Sequence, residues 1–160
     1  WTELKEPGTY RGKCAELCGK DHGFMPIVLV AKTQEDYDAW VEEQKGAAAA
    51  AADAATATLT MEELMARGEA AYNTSCAACH QANGAGIPGV FPAIAGSAIA
   101  TGDVAKHIDI GVNGVPGTAM QAFGEQLSAV DLAAVITYQR NAFGNDTGDM
   151  VQPADIVADK

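Results

Sequence analysis

The 160-residue chain carries a formal net charge of −11, with nine Asp/Glu against six Lys/Arg in residues 1–45 and eleven against four in residues 61–160. A surface this acidic repels nucleic acid and anionic membrane, and it either steers basic partners or serves solubility alone. Hydrophobic residues make up 48% but aromatic ones only 6%, so much of the apolar count is alanine and builds little core, and no run is long enough to cross a bilayer.

Residues 1–13 are mixed and hold a turn signal at Pro7-Gly8. Residues 9–13 read as a strand entering a loop, and Cys14 to Pro26, with Gly19 and Gly23, reads as that loop. Ile27 to Ala31 is apolar and mostly β-branched, which predicts a buried strand. Thr33 with Asp36 resembles a capping box and predicts a short helix to about Gln44, with Tyr37, Trp40 and Val41 on one face. Gly46 to Thr58 is a low-complexity alanine run with no amphipathic face. It reads as an inter-domain linker, partly helical through alanine's high helix propensity.

Thr60 and Glu63 form a capping box and predict a helix to about Asn73, with Leu64, Gly68 and Tyr72 on one side. Gly68 in mid-helix lowers helix propensity, which a close helix–helix crossing would justify. Residues 81–102 and 111–127 read as long loops, with a short helix over Asp103–Ile110 between them. Ser128 and Asp131 cap a last helix over about Ala129–Ala142, with Leu132, Val135, Ile136 and Gln139 along one stripe. Gly144-Asn145 stops it, and the tail 146–160 reads as acidic and irregular. Loops this long argue against a compact fold unless something fills its middle.

That filler is announced by Cys76-Ala77-Ala78-Cys79-His80. Cys-x-x-Cys-His is the attachment signature of c-type haem: two thiols bond one edge of the macrocycle and the next residue places an imidazole under the iron. A redox dithiol or half a zinc site would use Cys-x-x-Cys without needing that His. A second axial ligand is expected from Met61, Met65, Met120, Met150, His107, or the Met and His upstream of the linker. Met61 and Met65 read as packing residues, and His107 as partly exposed. Met120, forty residues past His80 in a Gly-Thr-Ala-Met-Gln-Ala-Phe loop, is the best placed to cross the far haem face. The other ring nitrogen of His80 calls for an acceptor, expected from a backbone carbonyl near Pro92. Phe91, Ile94, Ile99, Val104, Ile108, Val112, Phe123 and Leu127 are candidate pocket walls.

On the Gly68/Tyr72 helix, Cys76–His80, Pro92, Met120 and the closing helix with Tyr138, residues 60–145 resemble a class I cytochrome c domain. The resemblance implies a mainly α fold in which the first and last helices cross, Gly68 meeting the Val135/Tyr138 region.

Upstream, Cys14-x3-Cys18-x3-His22-x2-Met25 puts two thiolates, an imidazole and a thioether on one short loop. That soft set suits copper better than calcium, magnesium or structural zinc; the alternatives are a Cys14–Cys18 disulfide beside an unrelated His and Met, or a zinc site. The loop and the strand after it resemble the binuclear copper loop of cytochrome c oxidase subunit II. The resemblance implies copper ligation by Cys14, Cys18, His22, Met25 and the carbonyl of Glu16, on the last strands of a β cupredoxin. That family has a further His ligand on an earlier strand and an N-terminal membrane hairpin. Neither is in this sequence, so a truncated cupredoxin and an incomplete copper site are expected here.

The two resemblances together match the caa-type oxidases, in which subunit II carries a fused cytochrome c. They divide the chain into a cupredoxin remnant (1–45), an alanine-rich linker (46–59), a cytochrome c domain (60–145) and an acidic tail (146–160). They imply a C-terminal portion with haem c, and binuclear copper in the longer protein. The expected partners are a soluble cytochrome or similar donor and oxidase subunit I, with no nucleic acid. The expected place is the periplasmic face of the bacterial inner membrane, reached only through the missing N-terminal part. No residue is expected to be catalytic, and the chain would be an electron carrier within an enzyme. The alternatives are a sensor whose open haem iron takes a gas ligand, or an electron-entry module of another copper/haem reductase.

Overall fold

A computed structural model describes residues 3–16, 18–20 and 22–159. The chain divides into two compact units, Trp1–Ala49 and Ala50–Lys160.

The first unit contains an antiparallel hairpin, β1 (Gly8–Lys13) and β2 (Pro26–Ala31), in register from Gly8 opposite Ala31 to Lys13 opposite Pro26. The amide of Cys14 donates to the carbonyl of Met25 at 3.2 Å, so the ladder clamps the neck of the intervening loop. β2 is not the buried strand its composition predicts. Its residues from Pro26 to Val30 are exposed, because within this unit it pairs along one edge with β1 and neither face is covered.

Helix α1 (Gln34–Thr56) starts where Thr33 Oγ1 accepts from the Asp36 amide at 3.1 Å and donates to its carboxylate at 2.8 Å. It does not stop near Gln44. It continues through the alanine run with no buried residue, since alanine sustains a helix by propensity without needing a face to bury. The boundary between the units falls inside this helix.

The second unit is helical. Helix α2 (Met61–Ser75) opens on a complete capping box between Thr60 and Glu63 and buries Leu64, Gly68 and Tyr72. It packs on α5 (Ala129–Asn141), capped by Ser128. A Cβ on Gly68 would overlap the Ala134 carbonyl oxygen and lie 2.6 Å from Tyr138 Cβ, so only glycine allows this approach. Arg67 bonds Asp131 at 2.7 Å across the same contact. Burial pushes the Asp131 carboxyl up, but hydrogen bonds from Arg67 and Ser128 outweigh it and hold it below its ordinary value.

Helix α5 is buried nearly all round, from Val130 to Arg140 apart from half-buried Asp131 and Tyr138, and not along a single stripe. It contacts α2, α4 (Val104–Asn113) and α6 (Pro153–Asp159). The tail is therefore not irregular. Val151 and Ile156 join the core, and Asp149 binds buried Arg140 through Nε at 3.0 Å and through Nη2. Asn141 Nδ2 donates to the Asp149 carbonyl at 2.9 Å. Two valine/isoleucine anchors and one carboxylate dock a segment whose overall composition is polar.

Candidate functional site

The two cysteines and the histidine of the 76–80 motif sit at a helix break. Cys76 ends α2 and begins α3 (Ala77–His80), its amide still donating to Tyr72 at 2.9 Å. Gln81 then turns the chain with φ of 65°, and Tyr72 Oη donates to its carbonyl at 2.7 Å. Burial, and then the neighbouring Cys79, push the Cys76 thiol up to about 11, so it stays protonated at neutral pH.

The segment after His80 is ordered by backbone bonds and not by helix or strand. Gly86 donates to the His80 carbonyl at 2.9 Å, and Ile94 to the Gly84 carbonyl at 2.8 Å. Gly86 has φ of 64°, and its Cβ position would strike the Pro92 carbonyl. Buried Asn145 fastens this loop to α5 by accepting from the Gly96 amide at 2.7 Å and donating to the Gln139 carbonyl at 2.7 Å. In consequence the Pro92 carbonyl stands 2.9 Å from His80 Nδ1. A carbonyl only accepts, so Nδ1 carries the proton and Nε2 is left as a bare donor atom.

Met120 lies in a loop closed by Gly114, where α4 ends with φ of 70°, and by the Val115 amide donating to the Met120 carbonyl at 2.9 Å. Cys76, Cys79, His80, Pro92 and Met120 all line one cavity of about 450 Å³. That volume is ordinary for a small-molecule or cofactor site. Of the expected walls, Phe91, Ile94, Ile99, Phe123 and Leu127 line it. Val104, Ile108 and Val112 do not: Val104 faces solvent, and the other two pack into the core on α4.

His107 also departs from expectation. It is buried, 6% exposed, and lines the cavity. Burial, and then nearby Arg140, pull its pKa down to about 4, although the Gln139 hydrogen bond opposes this, so it is neutral at pH 7. Its Nε2 bonds Gln139 Oε1 at 2.9 Å, while buried Nδ1 has no partner among the described residues. The sequence does not mark this burial: His107 shares a helical face with Gly111, one turn on, but a glycine does not make a face apolar. Met61 and Met65 are half-buried on α2, and Met150 is half exposed; none of the three lines the cavity.

In the first unit the loop brings Cys14, Cys18 and His22 together, their ligand atoms all within 4.8 Å of one another. No disulfide joins the two thiols, whose sulfurs stand 3.6 Å apart. Cys18 Sγ is 3.4 Å from His22 Nδ1 and 3.1 Å from Met25 Sδ, and Cys14 Sγ is 3.2 Å from the Glu16 carbonyl. Two sulfurs, an imidazole nitrogen, a thioether and a carbonyl thus converge, a donor set that fits a soft metal such as copper. The cavity likewise fits a haem: apolar walls, two thiols at one side, and an imidazole already oriented.

Comparison with known proteins matches each unit to a family. Residues 63–138 match cytochrome c oxidase, cbb3-type, subunit III, and residues 1–32 match the periplasmic domain of cytochrome c oxidase subunit II. The chain joins a subunit II segment to a cytochrome c domain. A cytochrome c oxidase subunit 2 of Alkalihalophilus pseudofirmus is 40% identical over 86 residues, which cover 54% of this chain and 23% of that protein. A probable cytochrome c oxidase subunit 2 of Rickettsia bellii is 47% identical over 49 residues, covering 31% and 18%. The mitochondrial subunit 2 of Glycine max is 46% identical over 43 residues, covering 27% and 11%. The chain therefore spans less than a quarter of the length of these relatives. The cytochrome c domain is mainly helical, and the subunit II segment contains the small two-stranded sheet of the copper-domain remnant. No described helix is long and apolar enough to cross a membrane.

Proposed function

We propose that this chain serves electron transfer in an oxidase. Its cytochrome c domain accepts electrons from a soluble donor, and its subunit II segment belongs to the binuclear copper centre that takes them on toward oxygen reduction in subunit I. The observation that carries this reading is the single cavity lined by Cys76, Cys79, His80 and Met120, with His80 held on the Pro92 carbonyl. Cys76 and Cys79 would hold haem c by thioether links, and His80 Nε2 and Met120 Sδ would bind its iron.

When bound, haem c would supply a one-electron couple, and donation from His80 and Met120 would raise its potential. The chain's residues do the rest. Pro92 fixes the tautomer and orientation of His80. The Gly114 turn positions the Met120 loop, and Ile94, Ile99 and Phe123 exclude water. Cys14, Cys18, His22, Met25 and the Glu16 carbonyl would hold copper. The likeness to the subunit II periplasmic domain supports a place on the periplasmic face of the bacterial inner membrane, and the acidic surface favours a basic donor such as a soluble cytochrome.

Expression in a host that matures c-type haem tests this. One haem per chain should survive denaturation, and Cys76→Ser with Cys79→Ser should abolish the linkage. Met120→Ala should alter the reduced spectrum and lower the potential. A haem-loaded chain whose spectrum ignores that change would have a different sixth ligand or an open iron.

A further inference from the structure

Both ends of the 76–80 motif are held by one residue of α2. Tyr72 is fully buried; its carbonyl accepts from the Cys76 amide at 2.9 Å, and its hydroxyl donates to the Gln81 carbonyl at 2.7 Å. Tyr72 does not line the cavity, so any effect it has on a group bound there passes through another residue. Its ring is fixed by two others, with centroids 5.7 Å from Tyr138 and 4.9 Å from Phe143. Phe143 in turn leaves no room beside Gly84, where a Cβ would lie 2.7 Å from the Phe143 ring.

The acceptor is an unusual residue. Gln81 has φ of 65° and ψ of 153°, a combination that glycine adopts readily and other residues rarely do. Such a conformation persists only where its surroundings over-determine it. Here they do: the Gln81 amide donates to the Ala77 carbonyl at 2.9 Å, and the Gln81 carbonyl accepts from both Tyr72 Oη and the Gly84 amide, the latter at 3.0 Å. The turn follows His80 directly. It sends the chain back so that Gly86 donates to the His80 carbonyl and the Pro92 carbonyl reaches His80 Nδ1. Were Gln81 to relax to a negative φ, the segment carrying Pro92 would leave His80 on a different course.

We propose that Tyr72 is a positioning residue for His80: its hydroxyl holds Gln81 in the glycine-like turn, and that turn fixes the imidazole that would bind the haem iron. The inference rests on the haem reading above. The ring and the hydroxyl of Tyr72 divide the work. Packing against Tyr138 and Phe143 is apolar and would be the same for phenylalanine, whereas the bond to the Gln81 carbonyl needs the O–H donor. With Gln81→Gly the turn would carry no strain and would depend far less on that donor.

The test uses the haem-loaded chain in its oxidised state, in which the proton NMR shifts of the haem methyl groups respond to the orientation of the ligating imidazole. Tyr72→Phe should change that methyl pattern at unchanged haem content. Made on a Gln81→Gly chain, the same substitution should have about half the effect or less, because the two act on one contact. A methyl pattern that is the same in the unsubstituted and Tyr72→Phe chains would overturn the proposal. So would a displacement of equal size with and without Gln81→Gly, which would belong to the aromatic cluster alone. Should Tyr72→Phe load no haem, the double variant decides: recovered haem content supports the positioning role, and continued loss refutes it. An unsubstituted chain that takes up no haem fails the parent reading, which is a different result from a haem-loaded chain whose His80 ignores Tyr72.

Discussion

At the scale of the residue, Gly68 carries the tightest constraint. The sequence marks it as an oddity inside an otherwise good helix, and the structure supplies the cause: Ala134 and Tyr138 of α5 occupy the space where a side chain would begin. Gly68→Ala forces the two helices apart, and overpacking of this kind costs about 1–3 kcal/mol. Thermal unfolding should show a lowered midpoint, and an unchanged one would mean that the crossing gives way freely. His107 was harder to read. A polar residue between Lys106 and Ile108 looks half exposed until the helix phase is known, and only packing against Gln139 settles that it faces inward.

At the scale of the element, the tail shows what hydrogen bonding adds to a weak pattern. Asp149 is held below its ordinary carboxylate value of 3.8, chiefly by the side-chain hydrogen bond from Arg140. The sign follows from linkage: a depressed folded pKa gives stability that is present above the unfolded value and lost as pH falls through the folded one. The docking of α6 should therefore weaken below about pH 4. Asp149→Asn should lower stability at neutral pH and flatten that acid limb in melts at a series of pH values. A variant with the same acid profile would show that the pair contributes nothing. Helix α1 makes the opposite point. It buries nothing, so an Ala50→Gly change should cost its helicity about 1 kcal/mol in circular dichroism, without moving the melting of the cytochrome c domain.

At the scale of the whole molecule, the two units differ in what holds them together. The cytochrome c domain has a core of its own, running from Tyr72 through Ile136 to Ile156. The subunit II segment has exposed strands, and the loop between them is held at its neck by the strand ladder and the bond from the Cys14 amide to the Met25 carbonyl. We expect metal analysis of this chain to find stoichiometric haem and fewer than two coppers, since residues 1–49 contain one histidine, His22, and the resembled copper centre needs another. Two coppers per chain would show that the loop suffices alone.

Groupings written in short spacings were legible from the sequence by itself: the Cys76–His80 motif, the gathering of Cys14, Cys18, His22 and Met25 on one loop, the capped helices and the loop that holds Met120. Such features depend on residues a few positions apart, whose relative placement the backbone already limits. Tertiary structure alone decided the rest. It turned His107 inward, made the tail a docked helix, left β2 exposed, and moved Ile108 and Val112 from the cavity wall to the core. Those outcomes depend on which surfaces meet across tens of residues, and burial is a property of the partner surface as much as of the residue that is buried.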